Sequence, residues 1–258
     1  MSRVRLTLGY RGTGFAGWAV QPASVTHGLP TLQASVQNAL SSALGEPIEA
    51  QCAGRTDAGV HADAQVVTFD TSSSMPPAGL VQTLQRWLPD DVWVVDAACA
   101  PDGFDARRSA LRRWYRYAVW RGPSSPSAEW HGRCLPSRGI LDVDAMRTAA
   151  RTLIGRHDFA TFRTAATDTR GTTRTVYAAD LLEIDDSLLI FEICADAYLK
   201  QMVRSIIGSL LWVGEKRWAP SQFGEALQAA DRRCGGPTAP AIGLSLHHID
   251  YPELSHST

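Results

Sequence analysis

The sequence predicts an α+β fold made of two β-α-β halves that share a mostly antiparallel sheet. Three observations carry that expectation. Short runs alternate apolar and polar residues, as Val4, Leu6 and Leu8 do, which is the period of a strand with one buried face. Other apolar residues recur at helical spacing, as Leu32, Val36, Ala39, Leu40, Ala43 and Leu44 do. The order of elements in the first hundred residues returns in degenerate form in the second half.

The first strand is read around Val4–Leu8. The segment Gly12-Thr13-Gly14-Phe15-Ala16-Gly17 that follows has the form G-x-G-x-x-G. A dinucleotide site is excluded there, because Pro22 and Pro30 interrupt any helix and no acidic ribose partner stands about 20 positions on. A helix opens after Pro30-Thr31 and closes at Gly45. Strands are expected at Pro47–Cys52 and Gln65–Phe69. A loop at Ser72–Pro77 leads to a helix carrying Leu80, Val81, Leu84, Trp87 and Leu88, and a strand begins at Val92. This β-α-β-β-α-β order is ferredoxin-like. It defines a first domain, 1–105.

The second domain, 106–258, opens on Ser109–Tyr117, where arginines lie among aromatic residues, and the elements after it read α, β, β, α, β. Arg121–Ile140 reads as a long loop rich in Pro, Ser and Gly. Val143, Met146, Ala149, Ala150 and Leu153 mark a helix, and Thr164–Gly171 is a polar stretch. Two strands, Val176–Ile184 and Leu188–Ala195, turn at Asp185-Asp186-Ser187. A strongly apolar helix runs from Tyr198 through Leu211, with Arg204 inside it. A buried arginine requires a partner, whereas one at the helix edge reaches water. A shorter helix covers Ser221–Ala230, and Gly243-Leu244-Ser245-Leu246 opens the last strand.

Composition narrows the function classes. The chain has 258 residues, 45% hydrophobic and 20% charged, which fits a globular protein of one large domain or two ordinary ones. No apolar run approaches the ~20 residues of a membrane span, and Met1–Leu6 reads as a strand, not a signal peptide. The five cysteines are scattered and never form C-x-x-C, against both a disulfide framework and a zinc site. Reduced thiols and a cytoplasmic location are the expectation. The net charge is −1, so a nucleic acid would have to find a local basic surface. Lys200 and Lys216 are the two lysines; the other basic residues are arginines, which suit bidentate phosphate contacts and stacking on bases.

The chain is organised around Ala53-Gly54-Arg55-Thr56-Asp57-Ala58-Gly59-Val60-His61-Ala62. Two glycines bracket Arg-Thr-Asp, a loop able to push the Asp57 carboxylate toward a ligand. Arg55 stands two residues before it, and a neighbouring guanidinium favours the charged form of a carboxylate. Taken alone, the pattern also fits a surface turn. The whole run resembles the active-site signature of the tRNA pseudouridine synthase A family, whose motif Asp is the catalytic carboxylate.

Further segments carry the same resemblance in the same order, from about Val4 to Pro252. Gly9–Trp18 is similar to the family's Tyr-Asp-Gly-Thr segment, with Arg11 where an Asp is usual. Phe104-Asp105-Ala106-Arg107, followed by Arg113-Trp114-Tyr115-Arg116-Tyr117, is similar to Phe-His-Ala-Arg and Arg-x-Tyr-Arg-Tyr. Asp105 replaces the usual His, and Tyr115 falls on the active-site tyrosine. Asp158-Phe159 through Phe162-Arg163 is similar to Asp-Phe-x-x-Phe-Arg. Met202-Val203-Arg204 matches Met-Val-Arg, with Gln201 where a His is common. Gly243–Leu246 and Tyr251 match the closing segment.

The resemblance implies a tRNA pseudouridine synthase with a central active-site cleft. Asp57 would act as nucleophile or base, Arg204 would pair with it, and Tyr115 would stack on the target uracil. A flipped-out base needs such an aromatic face. The targets would be uridines around positions 38 to 40 of the anticodon arm, and the enzyme a homodimer with tRNA docked across both subunits. The isomerisation transfers no electrons overall, so no cofactor is expected, and no metal. Arg107, Arg112, Arg113 and Arg116 lie among aromatic residues in the pattern of a nucleic-acid patch, and Arg55 is a further candidate for holding RNA. The same arginines also fit a strand with solvated charges. Two other classes compete. One is a metal-dependent hydrolase using Asp57, His61 and Asp63. The other is an RNA-binding module without catalysis, which has no need of a tethered carboxylate facing phosphates.

Overall fold

The structure is a computed structural model that describes residues 1–137, 139–164 and 171–252. Its chain divides into two compact units, Met1–Leu111 with the segment returning from Ser245, and Arg112–Leu244. The boundary expected after residue 105 therefore falls at 111, and the last strand belongs with the first unit. Contacts within that unit explain the shift. Leu111 N–H donates to Asp250 O at 2.8 Å, and the Tyr251 hydroxyl donates to Ala106 O at 2.7 Å.

In the first unit the central strand is β1 (Ser2–Tyr10), with Val4, Leu6, Leu8 and Tyr10 turned into the core. The unit continues through α1 (Ala23–Thr26), α2 (Leu32–Leu44), β2 (Gln51–Cys52), β3 (His61–Thr71), α3 (Pro77–Leu84) and β4 (Val92–Cys99). β1 pairs antiparallel with β3 on one side and with β4 on the other, and β2 pairs antiparallel with the far side of β3. The strand-helix-strand-strand-helix-strand order read from sequence is thus observed with one addition, the short helix α1 ahead of α2. α2 buries Leu32, Val36, Ala39 and Leu40. A fully buried leucine contributes roughly 1.5–3 kcal/mol, so this one face holds the helix.

Three local expectations change. The strand expected at Pro47–Cys52 contracts to two residues. The strand expected from Gln65 already starts at His61, because β1 reaches far enough for Tyr10 to pair with Ala62. Trp87, read as part of a helical face, is 55% exposed, since α3 stops at Leu84.

The second unit contains β5 (Arg112–Trp120), β6 (Leu135–Pro136), α4 (Val143–Arg151), β7 (Gly155–Asp158), β8 (Thr173–Glu183), β9 (Leu188–Ala195), α5 (Met202–Gly214) and α6 (Pro220–Ala229). Its strands run β5-β9-β8-β7, antiparallel at every step. Asp185 sets the β8–β9 turn by accepting from the amides of Ser187 and Leu188, both at 2.7 Å. Asp142 caps α4 through Ala145 N–H at 3.0 Å.

Here too the sequence reading is refined. The stretch read as a loop from Arg121 contains β6, which pairs parallel with the end of β5. It also buries Cys134 against Ala118, Leu188 and Ile190, with Trp120 and Trp130 packed around them. β7 is an added edge strand. The helix expected from Tyr198 begins at Met202, because Gln201 takes a left-handed φ of 58°. Residues 165–170 of the polar stretch Thr164–Gly171 lie outside the described residues. Among the described residues the last strand is β10 (Leu244–Asp250), which pairs parallel with the start of β3, Ser245 opposite His61 and Leu246 opposite Ala62. Among the described residues no helix is long and apolar enough to cross a membrane.

Candidate active site

The Asp57 loop lies between β2 and β3 and is held by the segment that follows β1. Trp18 N–H donates to Thr56 O at 3.0 Å, and Gly59 N–H to Phe15 O at 3.4 Å. Val60 N–H closes the loop on Asp57 O at 3.2 Å. Two glycines permit this approach. A Cβ on Gly12 would sit 1.9 Å from Val60 O, and Gly17, at φ +93°, would place one 2.9 Å from Thr56 O and 3.1 Å from Asp57 C. Gly12 and Gly17 of the apparent G-x-G-x-x-G therefore make room for the backbone of the carboxylate loop. Thr56 is buried, while Asp57 is half-buried and Arg55 exposed, so the loop shows its charges and hides its anchor.

Arg55 has a neighbour in the same unit. Burial pushes the Cys52 thiol up to about 11, against the opposing pull of the Arg55 and Arg107 charges. Both guanidinium groups therefore lie within electrostatic reach of one point at the base of the loop. Arg107 is set by Asp105, whose Oδ1 accepts from the amides of Arg107 at 2.9 Å and Arg108 at 2.7 Å. The aspartate that stands for the family's histidine thus caps a turn that presents an exposed arginine.

In the second unit Tyr115 lies on β5 opposite Ile193 and is 9% exposed. The Tyr198 ring meets it edge-on, with centroids 5.0 Å apart, and the Tyr198 hydroxyl lies 3.0 Å from both Arg113 O and Ile193 O. Arg204 lies in the first turn of α5 and is half-buried. Its Nε donates to Ala239 O at 2.7 Å, and Ala239 N–H returns a bond to Arg204 O at 2.9 Å. The Tyr117 hydroxyl donates to the adjacent Pro240 O at 2.8 Å. The 239–240 segment thereby ties α5 to β5. Burial pushes the Tyr117 hydroxyl up, and the Arg204 charge acts in the opposite direction.

The arginines of β5 part company. Arg112 is exposed, and its guanidinium carbon lies 4.5 Å from the centroid of the Tyr177 ring. Arg113 donates to Asp196 O at 2.7 Å, and Arg116 makes an ion pair with Glu192 at 2.6 Å. The alternation of a strand puts Arg112 and Arg116 on one face and Arg113 on the other.

The proposed metal set does not assemble. Among the described residues no three His, Cys, Asp or Glu side chains are grouped to hold a metal ion. His61 is buried and accepts a hydrogen bond from Gly12 N–H through Nδ1 at 3.2 Å. Asp63 faces His247 instead, Oδ2 to Nδ1 at 3.1 Å.

A tRNA pseudouridine synthase family model matches residues 149–252. The tRNA pseudouridine synthase A of Syntrophotalea carbinolica is 40% identical over 97% of this chain and 97% of its own length. The chain belongs to the tRNA pseudouridine synthase A family. The family member of Bordetella parapertussis is 42% identical over 98% of this chain and 92% of its own, and that of Pseudomonas aeruginosa is 38% identical over 98% and 86%. The crystal structure of a Cbf5-Nop10-Gar1 complex aligns with 81% of this chain and 45% of that one at TM-score 0.34 and 16% identity, too slight a likeness to bear on function.

Contacts in the structure give a place to residues that the family motifs of tRNA pseudouridine synthase A left without a role. Tyr10, Gly12, Gly17 and Gln65 all touch the Asp57 loop. Their signal in the sequence is limited to glycines directly after a strand; the full burial of Gln65 is visible only in the structure.

Proposed function

We propose that this protein isomerises uridine to pseudouridine in tRNA, at uridines around positions 38 to 40 of the anticodon stem-loop. The bond from uracil N1 to the ribose carbon breaks, the base turns, C5 joins the same carbon and gives up its proton, and N1 takes up a proton. No electron is gained or lost overall. The observation that carries this reading is a signature carboxylate, Asp57, in a loop clamped at both ends within a chain related to the synthases over nearly its whole length. In this reading Asp57 acts on the target nucleotide, Arg204 is its cationic partner, and Tyr115 supplies the aromatic face for the flipped base. Arg55 and Arg107, whose charges both act on the Cys52 thiol, hold flanking phosphates.

The protein works as a cytoplasmic homodimer in this proposal. With a net charge of −1, one compact monomer has little general attraction for tRNA, so basic residues of two subunits must combine. Light scattering tests this point: the expected particle has twice the chain mass, and a monomer that still modifies tRNA contradicts it.

RNA contact on β5 has a salt signature. Each phosphate contact contributes about 0.7–0.9 to the slope of log affinity against log salt. Replacing the exposed Arg112 by Gln weakens tRNA binding and lowers that slope by about this amount. The same change at Arg116, already paired with Glu192, has the smaller effect. Fluorescence titration of tRNA at several salt concentrations reads both. An unchanged slope in the Arg112 variant means that this face does not touch RNA.

A further inference from the structure

Beneath the Asp57 loop lies a chain of buried polar groups that the chemistry itself does not use. Gln65 on β3 is 0% exposed, as is Tyr10 at the end of β1, and Thr56 is 6% exposed. The Gln65 amide grips Gly54 at both of its backbone groups. Nε2 donates to Gly54 O at 2.6 Å, and Oε1 accepts from Gly54 N–H at 3.4 Å. The same Nε2 lies 3.3 Å from the Tyr10 hydroxyl, and that hydroxyl lies 2.9 Å from Thr56 Oγ1.

The pairing of β1 with β3 slips between Leu8, opposite Gln65, and Tyr10, opposite Ala62. Such irregularities re-aim side chains next to active sites. A buried amide or hydroxyl without partners costs free energy that an apolar side chain of similar size does not. Leu8, opposite Gln65, and Leu6 and Val67, the next pair along the same two strands, are buried apolar residues, so Gln65 and the Tyr10 hydroxyl add nothing to the core that an apolar side chain would not. Besides the bond between them, these hydrogen bonds reach Gly54 and Thr56, the residues on either side of Arg55, and Thr56 directly precedes Asp57.

We infer that Gln65 and Tyr10 are positioning residues for the isomerisation, fixing Gly54 and Thr56 so that Asp57 is presented in one orientation. The inference rests on the proposed role of Asp57. Misplacing a reacting group by about 1 Å can cost on the order of a hundredfold in rate without loss of binding. Loss of this network therefore lowers the rate of the chemical step and leaves tRNA affinity alone.

Tyr10→Phe removes only the hydroxyl and keeps the ring beside Trp18. Thr56→Val removes the hydroxyl at the other end of the same bond, and Thr56→Ser retains it. Single-turnover rates on tRNA, tRNA dissociation constants and melting temperatures are measured for these variants, for the double variant and for Asp57→Asn. The expected result is a loss of about tenfold or more in rate for Tyr10→Phe and Thr56→Val, with affinity within about twofold. Thr56→Ser stays near wild type, and the double variant is no slower than the worse single one, because both remove one interaction. Unchanged single-variant rates, or losses that multiply in the double variant, overturn the inference. So does a rate loss that Thr56→Ser shares or that follows melting temperature, since that is a general structural effect. If Asp57→Asn still turns over, the role of Asp57 falls and the inference with it. If Asp57→Asn is inactive while Tyr10→Phe is fully active, the positioning network alone is refuted.

Discussion

Asp57→Asn abolishes pseudouridine formation, by more than about a thousandfold, while tRNA affinity holds or rises. The substitution keeps the shape of the side chain and removes its charge and most of its nucleophilicity. Losses of this size follow removal of a group that acts in the transition state. Affinity holds because Asn leaves the loop contacts in place: the backbone of residue 57 still accepts from Val60 N–H, and Trp18 still holds Thr56 O. It rises if the lost negative charge stands near phosphate. Asp63→Asn is the paired control. Asp63 lies past the loop and faces His247, so its substitution leaves substantial activity. A hydrolase built on Asp57, His61 and Asp63 predicts instead that both substitutions and His61→Ala are inactive. A pure binding module predicts no pseudouridine from any form.

Gly12→Ala is the second large effect, and it acts through the fold. The added Cβ would lie 1.9 Å from Val60 O and 2.6 Å from Val60 C. These are backbone atoms of the segment that closes the Asp57 loop, so they cannot step aside as a flexible side chain does. Overpacking of a core typically costs about 1–3 kcal/mol, and this contact is at the upper end or beyond. For a chain of this length that corresponds to a fall of several degrees in melting temperature. Activity falls further than stability, because relief requires Val60 to move and Val60 N–H holds Asp57 O. Gly14→Ala is the control two residues away, where an added Cβ meets nothing within 4 Å. Thermal melts and tRNA assays at a temperature where both variants are folded separate the two. Equal behaviour of the two variants would mean that the segment after β1 does not brace the loop.

These two predictions also mark how far the sequence could be read. Asp57 was legible because two glycines and a signature surrounded it, and α2 because apolar residues at helical spacing ended in a glycine. The element order of the first unit followed from periodicity alone. What escaped depended on partners distant in sequence. The sequence excludes a nucleotide loop at Gly12 and Gly17, but only Val60 and Thr56, packed against them, give these glycines a role. Gln65 sat unnoticed within an apolar strand, since its worth lies in Gly54, eleven residues earlier. The β5 arginines looked like one patch, yet Glu192 and the Asp196 carbonyl engage two of them from elsewhere in the unit. The division of the chain was misplaced for the same reason. The pairing of β10 with β3 and the contacts of residues 106 and 111 with 250–251 draw the end of the chain back to the first unit.

The central claim is tested most directly by incubating the wild-type protein with an unmodified tRNA transcript in the presence of a metal chelator. Uridine in the anticodon arm is followed by nucleoside analysis and by the mass of the intact RNA. The account predicts many turnovers per enzyme, pseudouridine in the anticodon arm and no change in RNA mass. Intact uridine after prolonged incubation of folded, tRNA-binding protein, or a product of altered mass, would contradict it.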